Sequence, residues 1–227
     1  MFDILFLDLD DTILDFHKAE RIAIAATIRE FGVEPTEAVL KLYHTINKAH
    51  WEMLERGEQT REQILVNRFG VLFRELGVEA DAEKCARRYE QNLGQGHYFL
   101  PGAEEAVKAL SKRYRLFLAS NGTASVQHGR MTSAGLYPYF EKVFVSQEVG
   151  YNKPSPDYFR VCFAQIPDFA RERTMIVGDS LSSDILGGKN AGIATCWVNP
   201  EHKKAGEICP DYEIEALSQL QALLDSI

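Results

Sequence analysis

Short apolar runs alternate with helix-forming segments along much of the chain, and this alternation most constrains the fold. The runs lie at 4–7, 116–119, 143–145, 174–177 and 193–198. Their length and their turn-prone borders are typical of buried strands. Strands joined through helices require right-handed crossovers, which place the strands side by side in a parallel sheet. The sequence therefore predicts an α/β fold, a Rossmann-like sheet with helices on both faces and a closing helix over 214–224.

A different pattern occupies residues 16–96. Apolar residues recur there at spacings of three and four, as in Leu65, Phe69 and Leu72, and no strand signal interrupts them. This spacing predicts about four helices packed on one another. We therefore expect a helical domain at 16–96, inserted into an α/β core formed by 1–15 and 97–227.

The charge and composition of the chain limit the kinds of molecule that it is expected to bind. The chain has 227 residues and a formal net charge of −8, so it lacks the basic surface that binding to nucleic acid requires. The N-terminal apolar run soon reaches acidic residues and has no basic leader, so we expect no signal peptide or membrane span and a cytoplasmic location. The four cysteines lie far apart without C-x-x-C spacing, and all are predicted to be buried, reduced thiols.

Polar residues follow the apolar runs at the points where the predicted strands end. They are Asp8 and Asp10 after the first run, Ser120 and Asn121 after the second, Lys153 beyond the third, and Asp179 and Asp184 after the fourth. Ligands of open parallel sheets bind at the carboxyl ends of the strands. We therefore expect these side chains to share one site.

The acidic residues predict a metal ion. Asp8 follows four apolar residues directly, so its carboxylate is expected to lie partly buried beside Asp10. Their mutual repulsion and desolvation need a cation to offset them, and oxygen ligands favour Mg²⁺. Asp179 is expected to complete the site from a neighbouring strand. Other polar residues nearby are interpreted as caps of turns or helix starts: Asp11, Ser180 and Ser182.

The remaining polar residues predict an anion site. Lys153 lies in a segment stiffened by Pro154 and Pro156 and can hold phosphate oxygens as a fixed point charge, although most lysines in loops are simply solvated. Ser120 offers a hydroxyl at the same edge, and Asn121 and Gly122 offer backbone N–H groups.

These motifs resemble the haloacid dehalogenase (HAD) superfamily of aspartyl-phosphate hydrolases over the whole chain. The matching motifs are D-x-D-x-T at 8–12, an apolar strand ending in Ser120, the lysine of K-P-x-P at Lys153, and G-D-S-x-x-x-D at 178–184. The resemblance implies that Asp8 is the nucleophile and that Asp10 protonates the leaving alcohol and later deprotonates water. Lys153 and Ser120 would balance charge on the phosphoryl oxygens.

The resemblance also implies a metal site and a lid. Mg²⁺ would be held by Asp8, the backbone carbonyl of Asp10 and Asp179. Asp184 would support the metal's water shell or Lys153. The helical insertion is similar to the C1 cap that covers the active site in this superfamily. The implied partner is a small phosphate ester, and the chain is expected to be a monomer or a homodimer.

Several functions stay open within and beyond this superfamily. Dehalogenases lack an acid at the second motif position, so Asp10 favours phosphate esters. The run at 178–200 is similar to the house-cleaning pyrimidine 5'-nucleotidases, which implies UMP, dUMP and dTMP as substrates. Phosphatases of sugar phosphates are the alternative. A receiver-like phosphoacceptor uses similar residues, but it is shorter and lacks an insertion.

Substrate selection is expected to depend on the helical domain. The candidates are Phe16, His17, Tyr43, Asn47, His50 and Trp51, since a base can stack on a ring and receive hydrogen bonds from Asn or His. Tyr43, Asn47 and Trp51 also fit the apolar stripe of a helix, so their spacing is equally typical of core packing. Gly32, Gly94 and Gly96 are candidate hinges.

Overall fold

A computed structural model describes residues 2–227 and contains one parallel sheet of six strands. The strands are β1 (Ile4–Leu7), β2 (Arg115–Ser120), β3 (Lys142–Val145), β4 (Thr174–Gly178), β5 (Ala194–Val198) and β6 (Tyr212–Ile214), in the spatial order β3-β2-β1-β4-β5-β6. Helices connect the strands, so the predicted α/β, Rossmann-like class is confirmed.

Five α-helices of the described chain lie between β1 and β2, and five more follow β2. The first four are α1 (Phe16–Arg29), α2 (Glu37–Glu55), α3 (Arg61–Leu76) and α4 (Ala82–Leu93). The others are α5 (Ala103–Leu110), α6 (Ala124–Ser133), α7 (Ser146–Val149), α8 (Pro156–Phe163), α9 (Leu186–Ala191) and α10 (Leu220–Ser226). We call residues 16–93, which contain α1–α4 and the loops between them, the helical unit and the remainder of the described chain the sheet unit.

β1 lies at the centre of the sheet and is buried on both faces. Ile4 pairs with Arg115 of β2 on one side and with Thr174 of β4 on the other. Successive β1 side chains alternate between two apolar layers, as the strand repeat of two requires. Leu5 packs in the layer that contains α5 and α10, and Phe6 packs in the layer that contains α8 and α9. The end of β1 is thereby fixed in the middle of the molecule.

The prediction for the last segment was wrong in part. Ile214, assigned to the closing helix, instead ends β6 and pairs with Val198, and the helix begins only at Leu220. Apolar residues at helical spacing over 214–224 misled the prediction. Burial of Ile214 against the edge of β5 decides its conformation, because tertiary pairing outweighs local periodicity.

The prediction that all cysteines are buried was also wrong in part. Cys209 lies exposed in the loop between β5 and β6. The other three are buried and free: Cys85, Cys162 and Cys196.

The helical unit has its own apolar core and well-defined helix starts. Thr60 caps α3 in a capping box with Gln63, in which each side chain accepts a hydrogen bond from the other's backbone N–H. Tyr43, Phe69 and Tyr89 join α2, α3 and α4 through ring contacts with centroids 5.4–5.5 Å apart. Within residues 2–227, no helix has both the length and the apolar character needed to cross a membrane.

Candidate active site

A cluster of three carboxylates lies at the carboxyl ends of β1 and β4. One oxygen from each of Asp8, Asp179 and Asp184 lies within 4.8 Å of the others. Lys153 reaches this cluster from the loop after α7. Its Nζ donates hydrogen bonds to Asp8 Oδ1 at 2.7 Å, to Asp184 Oδ1 at 2.6 Å and to the carbonyl oxygen of Ala119 at 2.6 Å. Four residues predicted for the site therefore meet at one point.

The ends of β1 and β4 explain how the carboxylates come so close. The Asp8 N–H donates to the Val177 carbonyl at 2.9 Å, which holds Asp8 beside β4. Gly178 has no side chain, and a Cβ there would lie only 2.2 Å from Asp184 Oδ2. The N–H of Ser180 donates to the same oxygen at 3.1 Å. Glycine at the end of β4 is thus required for Asp184 to reach Lys153.

The charges in this cluster are not balanced by the described residues. Burial raises the pKa of Asp8 to about 8, Lys153 opposes this shift, and the carboxylates of Asp184 and Asp10 add to it. Burial and the neighbouring Asp8 also raise the pKa of Asp179 well above its usual range. For Lys153, burial alone would lower the pKa, but Asp184 and Asp8 outweigh it and keep the ammonium charged.

This imbalance fits a divalent cation. With all three carboxyls ionised, the single ammonium of Lys153 leaves two negative charges uncompensated in a buried pocket. Oxygen donors on three carboxylates suit a hard ion such as Mg²⁺.

The residues after β2 hold the lysine loop. Asn121 Nδ2 donates to the Lys153 carbonyl at 2.8 Å, and the Lys153 N–H donates back to Asn121 Oδ1 at 2.9 Å. Ser120 is buried beside them, and its Oγ accepts a hydrogen bond from the Gly122 N–H at 3.1 Å. The Asn121 side chain thus positions Lys153, a role that the sequence analysis did not predict, since it assigned only the backbone N–H of Asn121 to the anion site.

Asp10 lies outside the three-carboxylate cluster and is held by two residues of α6 that sequence reasoning missed. Gln127 Nε2 donates to Asp10 Oδ2 at 2.7 Å and to Ser120 Oγ at 2.7 Å. Arg130 donates from Nη1 to Asp10 Oδ1. A sequence pattern could have indicated them: Gln127 and Arg130 lie three apart on the side of the helix that also carries Val126 and Met131. Large polar residues are unusual at such buried positions.

Two residues interpreted as caps have that role in the structure. Asp11 Oδ1 accepts a hydrogen bond from the Phe16 N–H at 2.9 Å, and Ser180 Oγ accepts one from the Ser183 N–H at 3.2 Å.

A cavity of about 270 Å³ lies above the carboxylates, between the sheet unit and the helical unit. The helical unit contributes Phe16, Trp51, Glu55, Arg68, Glu90 and Leu93 to its wall. Phe16 and Trp51 are thus the two predicted substrate candidates that line it. Glu55, Arg68 and Glu90 were missed, because their charge alone does not distinguish them from residues on a solvated helix face.

The other four substrate candidates lie elsewhere. Tyr43 is part of the aromatic core of the helical unit, and Asn47 Oδ1 accepts a hydrogen bond from Arg68 Nη1 at 2.7 Å. His50 is buried, and its Nδ1 lies 2.8 Å from the Ile46 carbonyl oxygen. His17 is exposed and faces Asp11 outside this cavity.

Arg61, at the start of α3, joins the helical unit to the loops around the site. Its Nη1 donates to the carbonyl oxygens of Asn121 at 2.8 Å and of Gly122 at 3.1 Å. Its Nη2 donates to Ser146 Oγ at 2.6 Å and to Asn152 Oδ1 at 2.7 Å. These contacts hold the helical unit over the carboxylates, and the sequence analysis did not single out this arginine.

Comparison with known proteins agrees with this geometry. The family model described as "Haloacid dehalogenase-like hydrolase" matches residues 4–198. The HAD-hydrolase YfnB of Bacillus subtilis is 39% identical over 97% of this chain and 94% of its own length. A crystal structure of YfnB bound to magnesium superposes with a TM-score of 0.94 at 38% identity and covers 99% of both chains. The chain therefore belongs to the haloacid dehalogenase-like hydrolase family, as the motifs indicated, and is an enzyme of the hydrolase class.

Two relatives carry more specific names. The pyrimidine 5'-nucleotidase PynA of Streptococcus pneumoniae is 38% identical over 97% of this chain and 94% of its own length. The pyrimidine 5'-nucleotidase YjjG of Escherichia coli is 31% identical over 98% of this chain and 97% of its own length.

Proposed function

We propose that the chain is a Mg²⁺-dependent phosphomonoester hydrolase that works through an aspartyl-phosphate on Asp8. The observation that carries the proposal is the buried cluster in which Asp8 shares Lys153 with Asp184 and has Asp179 beside it. A nucleophile, a fixed cation and donors for a divalent ion are thereby combined at the floor of one cavity.

The reaction proceeds in two displacements. A carboxylate oxygen of Asp8 attacks phosphorus, the bond from phosphorus to the ester oxygen breaks, and Asp10 gives its proton to the departing alcohol. Water then attacks the same phosphorus, its proton passes to Asp10, and the bond to Asp8 breaks to release inorganic phosphate. Each displacement thus has its own proton donor or acceptor.

Charged residues stabilise the phosphoryl group during both steps. Asp8 and Asp179, with the backbone carbonyl of Asp10 as the third predicted ligand, would hold Mg²⁺. When bound, the ion would supply positive charge that neutralises the phosphoryl oxygens. Lys153 supplies a second positive charge, Ser120 supplies a hydroxyl, and Asp184 fixes the position of Lys153.

For the substrate, we propose pyrimidine nucleoside monophosphates such as UMP, dUMP and dTMP. Support comes from the names of PynA and YjjG and from the rings of Phe16 and Trp51 in the cavity wall, on which a base can stack. We further propose that the helical unit acts as the cap that encloses the base. The charged groups of Glu90 and Arg68 in the same wall favour sugar phosphates as the second candidate, because they can bind hydroxyl groups.

A panel of compounds tests this proposal. Release of phosphate is measured from UMP, dTMP, purine nucleoside monophosphates and sugar phosphates, and release of halide is measured from 2-haloacids, each with Mg²⁺. We expect the highest kcat/KM with a pyrimidine nucleotide and no halide release. A sugar phosphate as the best substrate would overturn the nucleotidase assignment but keep the phosphatase. Halide release without phosphate release would overturn both.

A further inference from the structure

Arg130 joins the second acid of the site to the segment that leads out of the helical unit. Its side chain is fully buried on α6. Nη1 donates to Asp10 Oδ1 and, at 3.2 Å, to Gln127 Oε1, and Nε donates to the Gly96 carbonyl at 3.0 Å. We call residues 94–96, which follow α4, the linker. One guanidinium therefore contacts Asp10 and the linker at the same time.

The linker lies so close to α6 that only glycine fits between them. On the α6 side, a Cβ at Gly129 would lie 2.7 Å from the Gly94 carbonyl oxygen. On the other side, which faces α1, a Cβ at Gly96 would lie 3.0 Å from the Cβ of Ala19. Contacts this short leave the linker little room to shift without disturbing α6. The distance from Arg130 to the Gly96 carbonyl is thus set by close packing on both sides of the linker.

Both oxygens of Asp10 are held from α6. Arg130 donates to Oδ1 and Gln127 donates to Oδ2, so the carboxylate plane has one orientation. The remaining terminal nitrogen of Arg130, Nη2, is buried and has no hydrogen-bond partner among residues 2–227. A buried charged donor without a partner destabilises the fold.

We propose that Arg130 is a positioning residue: with Gln127 it orients Asp10 for proton transfer, and through Gly96 it makes that orientation depend on where the helical unit is seated. The inference rests on the proposed function. As Asp10 gives its proton to the leaving oxygen, it becomes a carboxylate. Two donors already aimed at its oxygens stabilise that charge as it forms. If the linker withdrew, Arg130 would lose its contact with Gly96, and the donor that it directs at Asp10 would no longer be held in place.

The test compares two aryl esters of similar size that differ in their need for a proton. p-Nitrophenolate leaves readily without protonation, whereas the leaving group of phenyl phosphate requires a general acid. kcat/KM is the appropriate measure, because it reports only the steps up to transfer of the phosphoryl group to the enzyme. Wild type, Arg130→Met, Asp10→Asn and the double variant are compared with Mg²⁺ present. Arg115→Met is the control, since Arg115 also binds a carboxylate and a carbonyl, those of Glu141 and Pro167.

We expect Arg130→Met to lower kcat/KM for phenyl phosphate about tenfold to a hundredfold, and for p-nitrophenyl phosphate less than about threefold. In the Asp10→Asn background, the same substitution should have little further effect. Equal losses on both esters, or full additivity with Asp10→Asn, would overturn the inference and leave the phosphatase assignment intact. A wild-type enzyme that hydrolyses no phosphate ester would instead overturn the proposed function.

Two further variants keep the test decisive. Arg130→Lys retains the charge but lacks the planar guanidinium that donates from separate nitrogens to Asp10 and Gly96, so it should show the same selective loss even where Arg130→Met does not fold. Gly129→Ala pushes the linker carbonyl away from α6 and should lower kcat/KM for phenyl phosphate about threefold to tenfold, with a smaller change for p-nitrophenyl phosphate. An unchanged ratio of the two esters in Gly129→Ala would overturn the dependence on the linker. An unchanged ratio in Arg130→Lys would overturn the orienting role.

Discussion

The two walls of the cavity are built differently. On the sheet side, Asp8, Lys153 and Asp184 are each at most 6% exposed, and Lys153 donates hydrogen bonds to both carboxylates. On the helical side, Trp51 is half-buried and Glu55 is exposed at the end of α2. The first wall has little freedom, because any shift would leave a buried charge unpaired. In the second wall, Arg68 is buried and bound to Asn47, but Trp51 and Glu55 can change without that penalty, which suits positions that select substrates.

Substitution of Asp8, in the sheet wall, should cause the largest loss of activity. Asp8→Asn removes the nucleophilic charge and should reduce phosphate release to background, because no other residue in contact with the cavity floor takes its place as nucleophile. Steady-state phosphate assays measure this loss. Asp3→Asn, which changes an acid at the opposite end of β1 that binds Arg173, is the matched control and should retain activity. Retained activity in Asp8→Asn would contradict the nucleophile assignment.

Removal of the metal should have the next largest effect. EDTA should abolish activity and Mg²⁺ should restore it. Ca²⁺ should restore it poorly, because its larger size and looser coordination do not enforce the same geometry. Asp179→Asn should lose Mg²⁺ binding in calorimetry. Equal rates with Ca²⁺ and Mg²⁺ would argue against the coordination inferred for the sheet wall.

Loss of the second acid should have an intermediate effect. Asp10→Asn should lower the rate on nucleotides by about 10² or more, as expected for a lost general acid. Mg²⁺ binding should be retained in calorimetry, since the substitution keeps the backbone carbonyl of residue 10. A simultaneous loss of metal binding would mean that the Asp10 side chain acts as a ligand instead.

Loss of the Arg61 contacts between the two walls should lower activity by a smaller factor. Arg61→Met removes four hydrogen bonds from the helical unit to the loops around the site and should lower kcat/KM about tenfold. Arg56→Met provides the control, because Arg56 is exposed and its hydrogen bonds go to Glu58 within the helical unit. The same kcat/KM for both variants would show that Arg61 does not control closure.

Changes in the helical wall should have the smallest effect and alter selectivity more than rate. Trp51→Leu should lower kcat/KM for pyrimidine nucleotides about twofold to tenfold relative to small sugar phosphates. This loss corresponds to the free energy of one aromatic stacking contact. Phe31→Leu, which changes a ring that packs on Phe73 in the helical unit, should leave the ratio unchanged. A uniform loss on every substrate would indicate that Trp51 does not contact the base.

The sequence predicted the sheet wall well because its signals are local. β1 and β4 are short apolar runs followed directly by a residue that enters the site, Asp8 and Asp179, and Lys153 lies in the segment after β3. The carboxyl ends of parallel strands then bring such residues together whatever the loops do. Asp8, Lys153, Asp179 and Asp184 could therefore be grouped before any coordinates.

The helical wall and the residues of α6 could not be predicted in the same way. Tyr43 and Trp51 lie on α2 at helical spacing, yet one is buried in the core of the helical unit and the other lines the cavity. The packing of α2 determines which of the two residues faces the core and which faces the cavity, and the spacing of residues in the sequence does not indicate that packing. Arg61 and Arg130 act on carbonyl and carboxylate groups far away in sequence, and nothing beside them in the chain indicates those partners.

The central place of β1 has a consequence for how the chain is made. β1 is synthesised before the other strands of the sheet, but both strands that flank it, β2 and β4, are synthesised only after the entire helical unit. The backbone N–H and C=O groups along both edges of β1 lack their strand partners during that time, and contacts so distant in sequence form slowly. The helical unit, whose contacts are local, can fold first. Asp8 is therefore fixed in place late in biogenesis, and a nascent chain arrested before β4 should carry a folded helical unit and no assembled carboxylate cluster.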